Sequence, residues 1–157
     1  MKKGIFSVII LLSCCVIFSG CIKTSPIVFT INPSMTANIG SYDFIASSVV
    51  PSTLDTQMHD STTTLIITGY SSDPLYPKDK IVLSITKYKA VTGTWSIVQG
   101  QATATYYHTI SATTSVNYAL GGIVSISNVT STSLIGYFSF NTDSLAITHG
   151  SFNVGLP

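Results

Sequence analysis

Three histidines, six aspartates, three cysteines and more than forty serines and threonines are the groups of this chain that could do chemistry. His59, His108 and His149 could build a three-histidine zinc site with an open water position. None of them has a second histidine or a carboxylate nearby at ligand spacing, so no metal and no cofactor is expected. Nucleophilic catalysis needs a Ser or Thr beside a His and an Asp. With so many hydroxyls such triples arise by chance, and the G-x-S-x-G elbow does not occur in the sequence. A glycosidase pair would have to be two aspartates. All of them except Asp43 fall in expected loops or turns, where a carboxylate normally caps a turn or faces water. No catalytic residue is assigned, and the chain is not expected to be an enzyme.

The thiols carry a different chemistry. All three cysteines lie within the first 21 residues, so the rest of the chain can form neither a disulfide nor a thiolate metal site. Lys2 and Lys3 make a short positive start, Gly4 to Phe18 is apolar, and the small residues Ser19 and Gly20 precede Cys21. This is the layout of a secretory signal peptide. It is too short for a membrane-spanning helix, which needs about 20 apolar residues. The run Phe18-Ser19-Gly20-Cys21 resembles a lipobox, in which the thiol is diacylated, the peptide is cut before the cysteine and the new amine is acylated. Phe18 stands where Leu is usual. Cys14, after Leu11-Leu12-Ser13, is the alternative lipidation site, but the chain stays apolar beyond it. The expected organisation is a signal peptide over 1–20, a lipidated tether over 21–33 containing Pro26 and Pro33, and a single domain over 34–157. The chain from Cys21 onward is long enough for one proper core.

Charge narrows the partners. The sequence has no Arg and no Glu, and a formal net charge of +1 from seven Lys and six Asp. Removing Lys2 and Lys3 leaves five Lys against six Asp, a formal −1. No basic patch exists for a phosphate backbone, so nucleic acid is not an expected partner.

The elements that must position these groups are strands. No stretch beyond the tether shows sustained helical periodicity; period-two alternation recurs between Gly, Asn, Asp and Pro signals. Strands are expected near 34–39, 42–46, 63–70, 81–85, 94–98, 103–108, 116–120, 123–128, 133–140 and 145–154, most of them five to eight residues long. The polar stretch 47–61, interrupted by Pro51, is expected to be a long loop. Ile81, Leu83 and Ile85 should face inward, as should Leu134, Phe138 and Phe140. In the last strand Leu145, Ile147 and His149 share one phase, and Phe152, Val154 and Leu156 share the other. A β-bulge with Gly150 at the special position would produce that slip. The expected fold is therefore all-β, an antiparallel meander of nine or ten short strands closed as a barrel or folded as a sandwich. A transmembrane barrel is disfavoured because its strands run about 9–11 residues. Tyr106 and Tyr107, being adjacent, must point to opposite faces of one strand. With Trp95, Tyr118 and Tyr137 they are candidates for a sugar- or peptide-binding face, against the simpler reading that outward Tyr and Thr form good cross-strand pairs.

Gly136-Tyr137-Phe138-Ser139-Phe140 followed by Ile147-Thr148-His149-Gly150-Ser151-Phe152-Asn153-Val154 resembles the ending of a domain-of-unknown-function family of small all-β lipoproteins found mainly in Bacteroidetes. Met35 to Gly40, Gly93-Thr94-Trp95 and Ala104-Thr105-Tyr106 extend the likeness. The resemblance implies an envelope lipoprotein and brings no activity. It also implies that Ser61 and Ser144, in Asp60-Ser61-Thr62 and Asp143-Ser144-Leu145, resemble O-glycan acceptors of exported proteins from that lineage. Ile22-Lys23-Thr24-Ser25 lacks both an acidic surface-export run and a retention Asp. For a member of that lineage, the resemblance implies the periplasm-facing leaflet of the outer membrane rather than the cell surface. The expected function is a lipid-anchored binding or interaction module for a protein, a glycan or a small apolar ligand. The alternatives are a structural envelope lipoprotein without ligand and a barrel that carries a small apolar ligand.

Overall fold

The computed structural model of the chain describes residues 33–54 and 63–155. Cys14, Cys21, His59, Ser61 and the signal and tether segments before Pro33 lie outside the described residues. Ten strands follow in order: β1 (Ser34–Ile39), β2 (Tyr42–Leu54), β3 (Thr63–Ser71), β4 (Lys80–Tyr88), β5 (Gly93–Ser96), β6 (Ala102–Ile110), β7 (Thr113–Tyr118), β8 (Gly121–Val129), β9 (Ser133–Asn141) and β10 (Ala146–Gly155). No helix occurs among the described residues. The strands join in one antiparallel sheet of order β5-β8-β9-β10-β1-β2-β3-β4-β6-β7, curled into a half-barrel.

The curl turns on β2. Its start, Tyr42 to Ile45, pairs with β1, whereas Ala46 to Leu54 pairs with β3. Between Ala46 and Ser48 the register slips, and a bulge of this kind bends and twists a strand. The stretch expected to be a loop from residue 47 is thus strand as far as Leu54. Pro51 lies opposite Ile67 of β3, and among the described residues the β1 ladder has ended at Ile45, so β2 is paired on one side only at this point, where a proline is tolerated.

Alternation fills the concave face. Met35, Ala37 and Ile39 of β1, Leu65 and Ile67 of β3, Ile81, Leu83 and Ile85 of β4, and Leu134, Phe138 and Phe140 of β9 are all buried. The two arms of the sheet meet there: a Cβ at Gly69 of β3 would lie 2.5 Å from the Met35 sulfur of β1. Simple hairpin neighbours account for β1 to β4, β6–β7 and β8 to β10. The exceptions are the pairing of β1 with β10, the first strand with the last, and the excursion of β5. The chain leaves β4, lies beside β8, turns at Gly100 (φ 69°) and returns to pair β6 with β4. Tyr88 and Trp95 meet edge to face at 5.8 Å where it crosses.

Strand lengths depart from expectation: β2, β3, β4, β6, β8, β9 and β10 each span nine residues or more. Length therefore gives no argument against a membrane barrel, but side-chain direction does. The fully buried side chains on the inner face of the strands are apolar, whereas the interior of a membrane barrel is polar.

Around Gly150 the ladder slips between Ile147 and Gly150, and burial changes phase from Ile147 to Gly150, Phe152 and Val154. The residue with the left-handed backbone is His149 (φ 52°), not Gly150. Glycine stands at 150 for another reason: a Cβ there would meet the Phe138 ring at 2.5 Å. His149 is consequently exposed, out of phase with Ile147, its Nδ1 3.2 Å from the Thr148 hydroxyl.

Candidate functional site

At one end of the half-barrel the start of β2, the β3–β4 turn, the middle of β6 and the β9–β10 turn converge on an open cup. It encloses about 200 Å³ and is lined by Ile39, Tyr42, Tyr76, Tyr106, His108 and Leu145.

Its anchor is Asp79, on the last residue of the β3–β4 turn. Pro74 and Pro77 punctuate that turn, and the Asp73 carboxylate accepts the Leu75 N–H at 2.7 Å, an Asx turn. The Ser71 N–H donates to the Asp79 carbonyl at 2.9 Å and the Asp79 N–H to the Tyr76 carbonyl at 3.1 Å. This closure turns the Asp79 side chain inward, where its residue is 0% exposed. Oδ2 accepts the Tyr106 hydroxyl at 2.5 Å and faces His108 Nδ1 at 2.8 Å. Oδ1 accepts the Thr109 N–H at 2.8 Å. A buried carboxylate is tolerable only when its lone pairs are used in this way.

Tyr106 and His108 stand two residues apart in β6 and so share its inner face. Their rings stack at 5.9 Å. Tyr76 meets Tyr42 edge on (5.2 Å, 74°) and His108 at a tilt (5.3 Å, 51°). The Tyr42 hydroxyl reaches the Ser71 hydroxyl at 3.4 Å. With Nδ1 turned to Asp79, the imidazole directs Nε2 away from the carboxylate. An Asp–His pair orients an imidazole as in a general base. Among the described residues, however, no hydroxyl is bonded to Nε2, and no group of three or more metal-ligating side chains occurs. What the arrangement does physically is hold two rings rigidly in the wall of a cup.

Burial pushes the Tyr106 phenol far above its ordinary value near 10, and the hydrogen bond to Asp79 adds to it. Tyr42 is raised too, by burial first and then by the charges of Asp73 and Asp79, against the lowering effect of its bond to Ser71. A phenol that resists ionisation in the fold but ionises freely in the unfolded chain leaves the native state with more bound protons above pH 10. Stability is then intact below pH 10 and falls as pH rises further. Urea unfolding between pH 9 and 11 should show a decline approaching about 1.4 kcal/mol per pH unit for Tyr106. Tyr106→Phe should remove that share of the slope; a slope that persists unchanged would assign it elsewhere.

The other sequence-level candidates scatter. Ser144 is exposed in the β9–β10 turn, its hydroxyl donating to Asp143 at 3.3 Å. Asp43 is exposed and accepts the Asn38 amide. Tyr107 faces outward in a cross-strand row Tyr70–Lys80–Tyr107–Val116, with the Lys80 ammonium 4.3 Å from its ring centroid. Tyr118 and Tyr137 are exposed on outer faces, and Trp95 is half-buried against Tyr88. Of the five aromatics, only Tyr106 reaches the cup.

Asp79 is the residue that sequence reasoning missed, having been expected to face water as other turn carboxylates do. A signal was present: Asp79 continues the inward phase of Ile81, Leu83 and Ile85, and His108 the inward phase of Ala104 and Tyr106. A carboxylate, a phenol and an imidazole in buried phases need one another as partners.

No protein-family model, no curated protein and no solved structure matches this chain.

Proposed function

We propose that this chain is an exported lipoprotein, acylated at Cys21 and held at the periplasmic face of the outer membrane, whose β-domain is a non-enzymatic binding module. One observation carries the binding reading. A fully buried carboxylate uses its hydrogen bonds to fix Tyr106 and His108 in the wall of an open cup, instead of leaving that end of the core apolar. Preorganised rings around a concavity lower the ordering cost of binding. The anchor rests on the layout around Cys21 and on the likeness to small envelope lipoproteins.

Chemical-shift mapping with a library of small polar and apolar fragments tests the site. Perturbations gathered on Tyr42, Tyr76, Tyr106 and His108, and lost in Tyr76→Ala, support it. A library that leaves these residues unmoved, or moves them equally in the variant, refutes it. For the anchor, Cys21→Ser should abolish palmitate labelling and move the protein from the membrane to the soluble periplasmic fraction. Labelling that persists would transfer the assignment to Cys14.

A second reading draws on the outer face of β3, β4, β6 and β7. There Tyr70, Val116 and Tyr118 are exposed beside Tyr107 on a rigid sheet. Such a surface suits a macromolecular partner, a glycan or a protein.

A further inference from the structure

We propose that the cup is a site for a small methylated ammonium ion, a class of ligand that aromatic faces and a nearby carboxylate recognise together. The inference rests on the reading of the cup as the binding site and specifies its ligand. Two half-buried phenol rings, Tyr42 and Tyr76, and the half-buried His108 imidazole form the accessible wall, with Tyr106 buried behind them and Ile39 and Leu145 as the apolar remainder. Tyr42 and Tyr76 stand 74° apart and Tyr76 and His108 51° apart. One face of His108 is stacked on Tyr106, and rings inclined to one another as Tyr42, Tyr76 and His108 are can offer surfaces from different directions to one guest, as in an aromatic cage. The negative π-faces attract a cation within about 6 Å of the ring centroids and repel an anion.

The fixed charges agree. The carboxylate of Asp79 lies directly behind Tyr106 and His108, and the charges of Asp73 and Asp79 are both felt at Tyr42. The two lysines that flank Asp79 in sequence do not cancel them. Lys80 places its ammonium over Tyr107 on the opposite face of the sheet, and Lys78 is exposed and does not line the cup. Size selects within the class. At about 200 Å³ the cup is smaller than the roughly 300–1,000 Å³ of pockets that take drug-sized molecules. It suits a single alkylated head group, whether of a free solute or of a lipid.

The test uses the full-length lipoprotein in maltoside micelles, since phosphocholine detergents would compete. Choline is titrated against its uncharged carbon isostere, 3,3-dimethylbutan-1-ol, and followed by the resonances of Tyr42, Tyr76, Tyr106 and His108. Choline should bind at least tenfold more tightly than the isostere. Tyr76→Phe, which keeps the π-face, should stay within about twofold of the native protein, and Tyr76→Leu, which removes it, should lose at least tenfold. Equal binding of the isostere would overturn the cation assignment while leaving the cup a binding site. Saturating choline that moves none of the four residues would also overturn it, and the fragment library would then decide separately whether the cup binds anything. Glycerophosphocholine distinguishes the source: binding alongside choline supports a lipid head group as the ligand, and binding of choline alone supports a free solute.

Discussion

Gly136→Ala and Gly150→Ala are each expected to lower the stability of the domain by about 3 kcal/mol, the upper end of what overpacking costs. The two glycines are reciprocal. Across the β9–β10 ladder Gly136 lies opposite Phe152, and Gly150 lies opposite Phe138. Each phenylalanine lies over the partner's glycine: a Cβ at Gly136 would meet Phe152 Cζ at 2.3 Å, and one at Gly150 would meet three Phe138 ring carbons at 2.5 to 2.6 Å. With Phe140 these rings form a stacked series at centroid separations of 6.2 and 6.5 Å. Phe138 and Phe152 are each 2% exposed, so neither ring can swing aside. The positions should differ in how they respond to rescue. At Gly150 the three nearest atoms all belong to the ring, and Phe138→Leu in the same chain should recover part of the loss. At Gly136 the Ser125 carbonyl oxygen of β8 would also lie 2.2 Å from the new carbon. That atom is backbone, so trimming Phe152 should recover little. Urea midpoints measured with unchanged m-values would check both claims. A loss below about 0.5 kcal/mol at either glycine would show that the sheet yields where this packing says it cannot.

These positions show what alternation makes legible. The inward faces of β4 and β9 and the phase slip near Gly150 follow from period two alone, because every second side chain of a half-buried strand must be apolar. The slip could be placed but its mechanism could not. The left-handed φ belongs to His149, and only the three-dimensional neighbour Phe138 explains why residue 150 has no side chain. Likewise Pro51 looks like a strand breaker until the pairing shows that, among the described residues, β2 is paired on one side only there. The excursion of β5 is hidden for a similar reason: its four residues alternate like any short strand, and nothing local says that β8 rather than β4 is the partner. The cup was the least legible feature. Asp79 and His108 are separated by 29 residues, and an aspartate among prolines carries the local signature of a turn. Its burial is decided by where the turn folds against β6.

That burial makes Asp79 the most consequential polar residue among those described. Asp79→Ala is expected to destabilise the domain by about 3–5 kcal/mol, because it strips one acceptor group from three donors at once, each costing about 1–3 kcal/mol when left unpaired and buried. The Tyr106 hydroxyl, the His108 Nδ1–H and the Thr109 N–H would all lose their acceptor at once. Asp79→Asn should cost less, since it keeps the shape and one acceptor oxygen. Tyr106→Phe should cost less again, about 1–2 kcal/mol, because the carboxylate retains two of its donors. Asp73→Ala, in the same turn but half-exposed, should lose only its Asx bond, about 1 kcal/mol. Chemical denaturation of the four variants gives the order directly, and an Asp79→Ala loss no greater than that of Tyr106→Phe would refute the shared-acceptor account. One further combination separates stability from function. Replacing the buried cluster together, as Asp79→Leu with Tyr106→Phe and His108→Leu, leaves only the Thr109 N–H without its acceptor and should restore much of the stability lost in Asp79→Ala. If the cluster served the fold alone, such a variant would still bind as the native protein does. If it exists to hold the cup, the variant should be folded and unable to bind.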